Sequence, residues 1–149
     1  MKKELDFVKM DKTNIKEVIV FLEEENNSFP VSIKSRINIS YFAKKILNNA
    51  EVYAYLCRTK IVGLIAFYAN DTINKTAYLT YICVNEKYRS HKLGLNLMNA
   101  MFEECENKNM KKVKLSTNKR NIKAQKFYEQ LGFKRIDEID DTYLYKINI

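Results

Sequence analysis

The sequence predicts a mixed α/β domain whose elements follow the order βααβββαβαββ. Two stretches of helical apolar spacing near the N-terminus are followed by three strand-like stretches separated only by short turns. The C-terminal half then alternates between helical and strand spacing, which is typical of the mixed α/β class. A length of 149 residues suggests one domain, so we expect a single domain over residues 1–149.

A first strand and two helices are predicted in the first third of the chain. Residues 4–9 alternate weakly, as strands do, and a stretch with apolar residues at helical spacing follows. Asn14 and Glu17 are a candidate N-terminal capping box for this first helix. The helix is expected to end at the acidic run 23–25. A second helix is predicted over residues 35–47.

The spacing of apolar residues then changes to that of strands. Residues 51–58 and 61–69 are separated only by Thr59-Lys60, which is the spacing of a tight hairpin. Asn70-Asp71 is expected to begin the next turn. The last seven residues of the third strand, 75–84, are almost wholly apolar or aromatic, which indicates a central strand buried on both faces.

The rest of the chain predicts two helices and three strands. Asn121 is expected to cap the second of these helices, and Gly132 to end it, because a left-handed cap fits glycine without steric cost. The predicted segments are a loop at 85–92, a helix from about Leu93, a strand at 111–117, a helix between Asn121 and Gly132, and paired strands at 133–139 and 142–149.

The net charge of +8, from 26 basic and 18 acidic residues, is the main compositional signal for a partner. Such a charge can indicate nucleic acid, an anionic membrane surface or a phosphorylated ligand. The basic residues are mostly lysine, and the chain is also rich in Asn, Ile and Tyr, as AT-rich coding would produce, so we expect no nucleic-acid partner. A nucleic-acid surface, kept as an alternative, would use Lys108, Lys111, Lys112, Lys114, Lys119, Arg120, Lys123 and Lys126.

Neither a membrane partner nor a metal is indicated. The chain lacks a run of about 18 apolar residues, which a transmembrane helix needs, and its basic start is not followed by an apolar signal core. We therefore expect a cytoplasmic protein. Cys57, Cys83 and Cys105 are odd in number and widely spaced. Because there is no CxxC and no Cys/His cluster, they indicate buried apolar side chains rather than disulfides or a zinc site.

Residues 88–94 (YRSHKLG) follow the predicted buried strand and open a helix, which favours an anion site. The free N–H groups of such a turn converge, and the helix dipole attracts negative charge. Arg89 and Lys92 add positive charge, Ser90 adds a hydroxyl, and Gly94 lets the backbone approach a phosphate closely. A solvated, charged helix start is the alternative. The Walker and GxGxxG patterns of other phosphate loops are missing.

A second motif is Asn121-x-x-Ala124-x-x-Phe127-Tyr128, followed by Leu-Gly-Phe at 131–133. Asn121 and Tyr128 are seven residues apart, so they share a face of the helix. The plain interpretation is a helix cap and a buried aromatic ring with a satisfied hydroxyl.

Together and in this order, the two segments resemble the GNAT-type N-acetyltransferase superfamily. Residues 81–98 (YICVNEKYRSHKLGLNLM) are similar to its strand, pyrophosphate loop and helix, and residues 121–133 (NIKAQKFYEQLGF) to its downstream helix. The family pattern Arg/Gln-x-x-Gly-x-Gly/Ala reads here from Arg89 to Gly94, with Lys92 where glycine is usual. We therefore expect weaker or differently shaped cofactor binding. The resemblance implies the acyl-CoA N-acyltransferase fold, with a mostly antiparallel central sheet flanked by helices.

The resemblance also implies a reaction. Acetyl-CoA would be the donor, and a primary amine of a small molecule or peptide would attack it directly. Tyr128 would be the general acid that protonates the leaving thiolate, and a backbone N–H near Cys83 or Val84 would stabilise the oxyanion. The implied cofactor-binding residues are Ile82, Cys83, Val84, Arg89, Ser90, His91, Lys92, Leu93, Gly94, Leu95, Asn121, Ala124 and Tyr128.

The sequence does not identify the general base or the acceptor. Family members often carry a carboxylate where this chain has Thr80-Tyr81, and one of the glutamates at 23–25 could face the acceptor instead. Glu24, Thr80 and Tyr81 are therefore the candidate substrate residues, whereas His91 is expected to point at the cofactor. A catalytically silent acyl-CoA-binding or sensing module is the alternative function. Both a monomer and a homodimer are compatible with the sequence.

Overall fold

The computed structural model describes residues 4–30 and 37–149, apart from the side chain of Ser90. Short 3-10 turns occur at Lys12–Asn14, Asn26–Ser28 and Glu86–His91. The strands and α-helices of this part of the chain are β1 (Asp6–Lys9), α1 (Ile15–Glu24), α2 (Ile39–Asn49), β2 (Glu51–Cys57), β3 (Lys60–Asp71), β4 (Thr76–Val84), α3 (Leu93–Asn107), β5 (Lys112–Asn118), α4 (Ile122–Leu131), β6 (Lys134–Ile139) and β7 (Thr142–Asn148).

The strands form one seven-stranded sheet in the order β1-β2-β3-β4-β5-β7-β6. Every neighbouring pair is antiparallel except β4 and β5, which are parallel. The predicted element order and the mixed, mostly antiparallel class are therefore confirmed. Among the described helices, none is long and apolar enough to cross a membrane.

Two local predictions near the N-terminus were wrong or fall outside the described chain. The side chain of Asn14 does not cap α1. It accepts a hydrogen bond from the Asp11 N–H at 3.0 Å, so the capping box lies one turn earlier, at Asp11. The predicted start of α2 at Ser35 lies outside the described residues. The described helix begins after Asn38, whose side chain accepts from the Tyr41 N–H at 2.9 Å.

The turn between β3 and β4 begins later than predicted. β3 continues through Asn70 to Asp71, so these residues end a strand rather than open a turn. The Asp71 carboxylate accepts from the Asn74 N–H at 2.9 Å and stabilises the turn. By contrast, the predicted ends of α4 are confirmed. Asn121 accepts from the Ala124 N–H at 3.2 Å, and Gly132 adopts a left-handed φ of 106°.

The sheet separates two apolar layers. Helices α1 and α2 pack on one face, over β2, β3 and the end of β4. Helices α3 and α4 pack on the opposite face, over β3, β4, β5 and β7. We call these the α1–α2 face and the α3–α4 face. The buried cluster on the α1–α2 face includes no described residue of β5, β6 or β7. Among the described residues, no apolar layer therefore covers that half of the sheet on this face, and we call it the open half.

Strands β4 and β5 pair over only part of their length. Their register runs from Thr76 opposite Lys112 to Leu79 opposite Leu115, and beyond this point each strand continues with its other neighbour alone. The separation begins beside a β-bulge. Leu79 and Tyr81 face consecutive residues of β3, which leaves Thr80 as the extra residue. The result is a gap in the middle of the sheet.

Candidate active site

A cavity of about 150 Å³ occupies the gap between β4 and β5. Two distant parts of the sequence meet in its wall. β4 contributes Thr80, Tyr81 and Ile82, α4 contributes Tyr128, and Asn121 is the N-cap of α4. All five were candidates on sequence grounds, and the gap explains their proximity, since it opens where the bulged strand meets the first turns of α4.

The wall also contains residues that the sequence reasoning missed. Ser116, Thr117 and Asn118 come from the end of β5, Thr142 from the start of β7, and Phe29 from the segment after α1. The polar run at 116–118 was a usable signal, because it follows an apolar strand directly. Thr142 and Phe29 carried no such signal, since their place at the cavity depends on pairing and packing across the fold.

Tyr128 is held in place by both ends of its helix. The Gln125 amide donates to the carbonyls of Asn118, at 3.2 Å, and Lys119, at 2.9 Å, which ties α4 to the end of β5. The Phe133 N–H donates to the Tyr128 carbonyl at 3.1 Å. Tyr128 is 8% exposed, and this burial raises the pKa of its hydroxyl. The hydroxyl is therefore protonated at neutral pH and available as a donor.

The backbone of β4 presents N–H groups to the gap. The Asn85 N–H donates to the Val62 carbonyl of β3 at 2.8 Å. Because hydrogen bonding alternates along an antiparallel strand, Cys83 also bonds toward β3, while the N–H groups of Ile82 and Val84 point toward the gap. The Val84 carbonyl accepts from the Arg89 Nε at 3.0 Å. Of the two predicted oxyanion donors, Val84 therefore has the suitable orientation and Cys83 does not.

The start of α3 lies at the end of β4 and has the features of an anion site. Lys92 occupies the N-cap position with a left-handed φ of 58° and supplies no side-chain cap. The Asn96 N–H donates to the Lys92 carbonyl, so the preceding N–H groups of Leu93, Gly94 and Leu95 have no acceptor within the helix. The helix dipole adds partial positive charge at this point. The segment predicted as a loop is a 3-10 turn, Glu86–His91.

Gly94 is not required by packing. A methyl group at this position would contact the Phe127 ring at 3.7 Å, which is an ordinary van der Waals distance. A requirement for glycine at this position would therefore come from a ligand that approaches the start of the helix, and not from packing within the protein. Ala124, a further predicted cofactor residue, packs against the core on the α3–α4 face.

Glu24 does not lie at the cavity. Its carboxylate pairs with Lys60 at 3.1 Å, in a groove between α1 and the β2–β3 hairpin. Glu25 is instead the glutamate that faces β4, and it is 4% exposed. It accepts from the Asn85 amide at 2.8 Å and the Ser28 hydroxyl at 3.1 Å. Successive residues at a helix end point in different directions, which is why adjacent glutamates have such different surroundings.

Cys83 points to the α1–α2 face, away from the α3–α4 face. Its Sγ lies 3.8 Å from the Glu25 carboxylate, as a donor. Burial, reinforced by the charge of Glu25, raises the pKa of the Cys83 thiol to about 12. This thiol is therefore protonated and a poor nucleophile at neutral pH. In the described part of the chain, no group of three or more His, Cys, Asp or Glu side chains is arranged to hold a metal.

The lysines considered for nucleic acid do not form one free surface. Lys108 pairs with Glu51 at 3.2 Å, and Lys119 pairs with Glu138 at 2.6 Å. The others are divided between the segment before β5, β5 itself, the connection to α4 and α4.

Comparison with known proteins identifies the fold and the family. The sequence model of the acetyltransferase (GNAT) family matches residues 19–133. A GNAT-family acetyltransferase structure from Staphylococcus aureus Mu50 aligns with a TM-score of 0.79 at 22% identity, over 97% of this chain and 99% of that one. The PaiA N-acetyltransferase from Thermoplasma acidophilum, solved in complex with coenzyme A, aligns with a TM-score of 0.82 at 17% identity, over 98% and 99%.

A third solved structure, the ribosomal-protein-S18-alanine N-acetyltransferase from Escherichia coli, aligns with a TM-score of 0.76 at 17% identity, over 98% of this chain and 94% of that one. No curated protein matches the sequence significantly. The family match includes the start of α3, every cavity residue named above except Thr142, and most of the chain. The protein therefore belongs to the GNAT family of acetyltransferases, which use acetyl-CoA as the acetyl donor.

Proposed function

We propose that the protein transfers the acetyl group of acetyl-CoA to a primary amine of a small molecule or peptide by direct attack. The observation that carries this proposal is the gap between β4 and β5. A buried, protonated Tyr128 and Ile82 line this gap. From Ile82, β4 leads through Val84 and a 3-10 turn to a helix start with free N–H groups. Residues 1–149 would form one domain for this reaction.

The start of α3 fits the diphosphate of coenzyme A. Leu93, Gly94 and Leu95 offer N–H groups to an anion, as helix N-termini commonly do, and Gly94 leaves room for a close approach. Arg89 is anchored to the Val84 carbonyl and adds positive charge beside this turn. Asn121 and Ala124 would contact the pantetheine arm. Lys92, His91 and Ser90 belong to the same loop.

Acetyl-CoA supplies an activated thioester carbonyl. The N–H groups of Ile82 and Val84 would stabilise the negative charge that develops on the carbonyl oxygen during attack. The hydroxyl of Tyr128 would donate its proton to the departing sulfur. Thr80 and Tyr81, at the bulge, would contact the acceptor amine.

The described cavity wall contains no carboxylate and no imidazole. Residues 31–36, beyond the described part, include no Asp, Glu or His in their sequence. A primary amine with a pKa of about 8 to 10 is mostly protonated at neutral pH. We therefore propose that the amine loses its proton to water rather than to a side chain of the cavity.

Two measurements test the proposal. Acetyl-CoA that binds only the folded protein raises the melting temperature by mass action, and thiol release with a panel of amines reports turnover. We expect a higher melting temperature and thiol release that depends on the amine. No shift at millimolar acetyl-CoA would contradict the proposal. A shift without turnover on any amine would favour the alternative, a silent acyl-CoA-binding module. The cytoplasmic location and the oligomeric state stay predictions.

A further inference from the structure

Three lysines lie side by side across the open half of the sheet. Lys114 of β5 is opposite Lys146 of β7, and Lys146 is opposite Lys134 of β6. Directly opposite residues of antiparallel strands share a face. Their chain neighbours Val113 and Tyr145 are buried on the α3–α4 face, so this lysine row lies on the α1–α2 face. It spans two strand separations, about 10 Å.

The charge of the lysine row is not balanced by its surroundings. Among the described residues, no carboxylate lies within ion-pair distance of these three lysines, whereas Lys60, Lys108 and Lys119 are all paired. The acid on this face of β6 is Asp137, which is opposite Leu144 and thus diagonal to Lys146. Like charges placed directly opposite each other destabilise a sheet. The row therefore carries a cost in stability that an anionic ligand would relieve.

The lysine row borders the cavity. Ser116, in the cavity wall, is two residues beyond Lys114 on the same face of β5, a distance of about 7 Å along the strand. Its hydroxyl accepts from the Tyr78 hydroxyl at 2.9 Å. Since the start of α3 and Tyr128 lie on the α3–α4 side, coenzyme A would occupy that side of the gap. The opening beside Ser116 and Thr80 is left for the acceptor.

We propose that the lysine row selects acidic peptides as acceptors. This inference rests on the proposed acetyl transfer. The N-terminal amine would enter the cavity, and the peptide would continue in an extended conformation across the open sheet. At about 3.3 Å per residue, side chains two to four residues from the amine reach the row. Carboxylates at those positions would neutralise Lys114, Lys146 and Lys134.

Peptide binding to the protein saturated with coenzyme A tests this without requiring turnover. Three fluorescent hexapeptides of the same length would carry Glu, Gln or Lys at positions three to five. We expect the Glu peptide to bind about tenfold more tightly than the Gln peptide at low salt, since each exposed pair contributes modestly. The advantage should shrink as salt screens the charges. The Lys peptide should bind most weakly.

Substitution of the three lysines of the row is the second part of the test. The Lys114→Gln/Lys134→Gln/Lys146→Gln protein should lose the preference for the Glu peptide and keep its affinity for coenzyme A. The matched control is Lys12→Gln/Lys44→Gln/Lys45→Gln, which removes the same charge from exposed sites on other elements and should keep the preference. The row variant should also melt at or above the wild-type temperature, since like-charge repulsion is relieved.

Several results would overturn the proposal. Equal affinity for the Glu and Gln peptides would do so, and so would equal loss of preference in the row variant and its control. Tighter binding of glutamate itself than of the Glu peptide would show that the row serves a small acid. Failure of the proposed acetyl transfer can be told apart from failure of the peptide proposal. In that case the protein would not bind acetyl-CoA, whichever peptide is present.

Discussion

The Asn85 amide donates a hydrogen bond to the buried carboxylate of Glu25 at 2.8 Å, which joins the end of α1 to the residue that follows β4. Glu25 also accepts from the Ser28 hydroxyl, so one carboxylate joins the end of α1, the 3-10 turn that follows it and the residue after β4. Asn85 in turn accepts from the Lys87 N–H and starts the 3-10 turn that leads to α3. The contact therefore joins the end of α1 to the 3-10 turn that precedes α3.

Glu25→Ala should destabilise the protein by about 2 kcal/mol, because it leaves buried donors without an acceptor. The control is Glu24→Ala, which removes an exposed ion pair with Lys60 and should cost less than about 1 kcal/mol. Urea denaturation of both variants measures the difference. Equal losses would show that the Asn85 contact does not support the fold.

Lys92→Gly should stabilise the protein by about 1 kcal/mol, because a non-glycine residue in the left-handed region is strained by roughly that amount. It should also tighten coenzyme A binding if the diphosphate lies beside this turn, as proposed, because glycine removes a side chain that would crowd it, while Arg89 still supplies positive charge. Lys75→Gly is the matched control. Lys75 has a φ of 51° in the β3–β4 turn. Its carbonyl accepts from the Lys111 N–H, at the end of the β4–β5 pairing away from the gap, so its replacement should give similar stability and unchanged affinity. A similar gain in affinity from both variants would contradict the assignment of Lys92.

Gly94→Ala should leave stability unchanged or slightly improved, since the added methyl meets Phe127 at a comfortable distance and alanine favours helices. Coenzyme A affinity should nevertheless fall about tenfold or more if the diphosphate lies against this turn. Gly132→Ala is the converse case. Its φ of 106° makes any side chain strained, so stability should drop while affinity at the folded site stays the same. Titration calorimetry and melting curves separate the two effects.

The pH dependence of kcat/KM should be set by the pKa of the acceptor amine rather than by a group of the protein. With no titrating base in the described cavity wall, kcat/KM should rise tenfold per pH unit until the amine's own pKa, near 8 for a peptide N-terminus and near 10.4 for a lysine side chain. The raised pKa of Tyr128 keeps the acid protonated over this range. A plateau above pH 7 that is the same for both acceptors would reveal a protein base and contradict this account.

Most of the fold could be predicted because each element carries its own local signal. Strand alternation, helical spacing and the residues at turns and caps, such as Asn121 and Gly132, are local properties of the chain. The bulge at Thr80 was not predictable, because nothing in its neighbours distinguishes it. It arises from the pairing of β4 with β3.

Part of the candidate site was indicated by the two motifs. Tyr128 and Asn121 line the cavity, and the turn at the start of α3 follows the end of β4; their roles stay predictions. The choice between Glu24 and Glu25 was not predictable, because consecutive glutamates look alike until packing fixes the end of α1. The left-handed conformation of Lys92 was also not predictable, because lysine disfavours this conformation and nothing in the sequence indicates it.

The proposed role of Tyr128 as general acid is tested by comparing thiol release from acetyl-CoA by the wild-type protein and by Tyr128→Phe, on any amine that the wild type acetylates. We expect kcat to fall about a hundredfold or more, as loss of a general acid typically causes, while the melting-temperature shift with coenzyme A is kept. Tyr53→Phe is the control, since its hydroxyl lies far from the gap, near Glu104, and its kcat should be unchanged. An unchanged kcat in Tyr128→Phe would contradict this role.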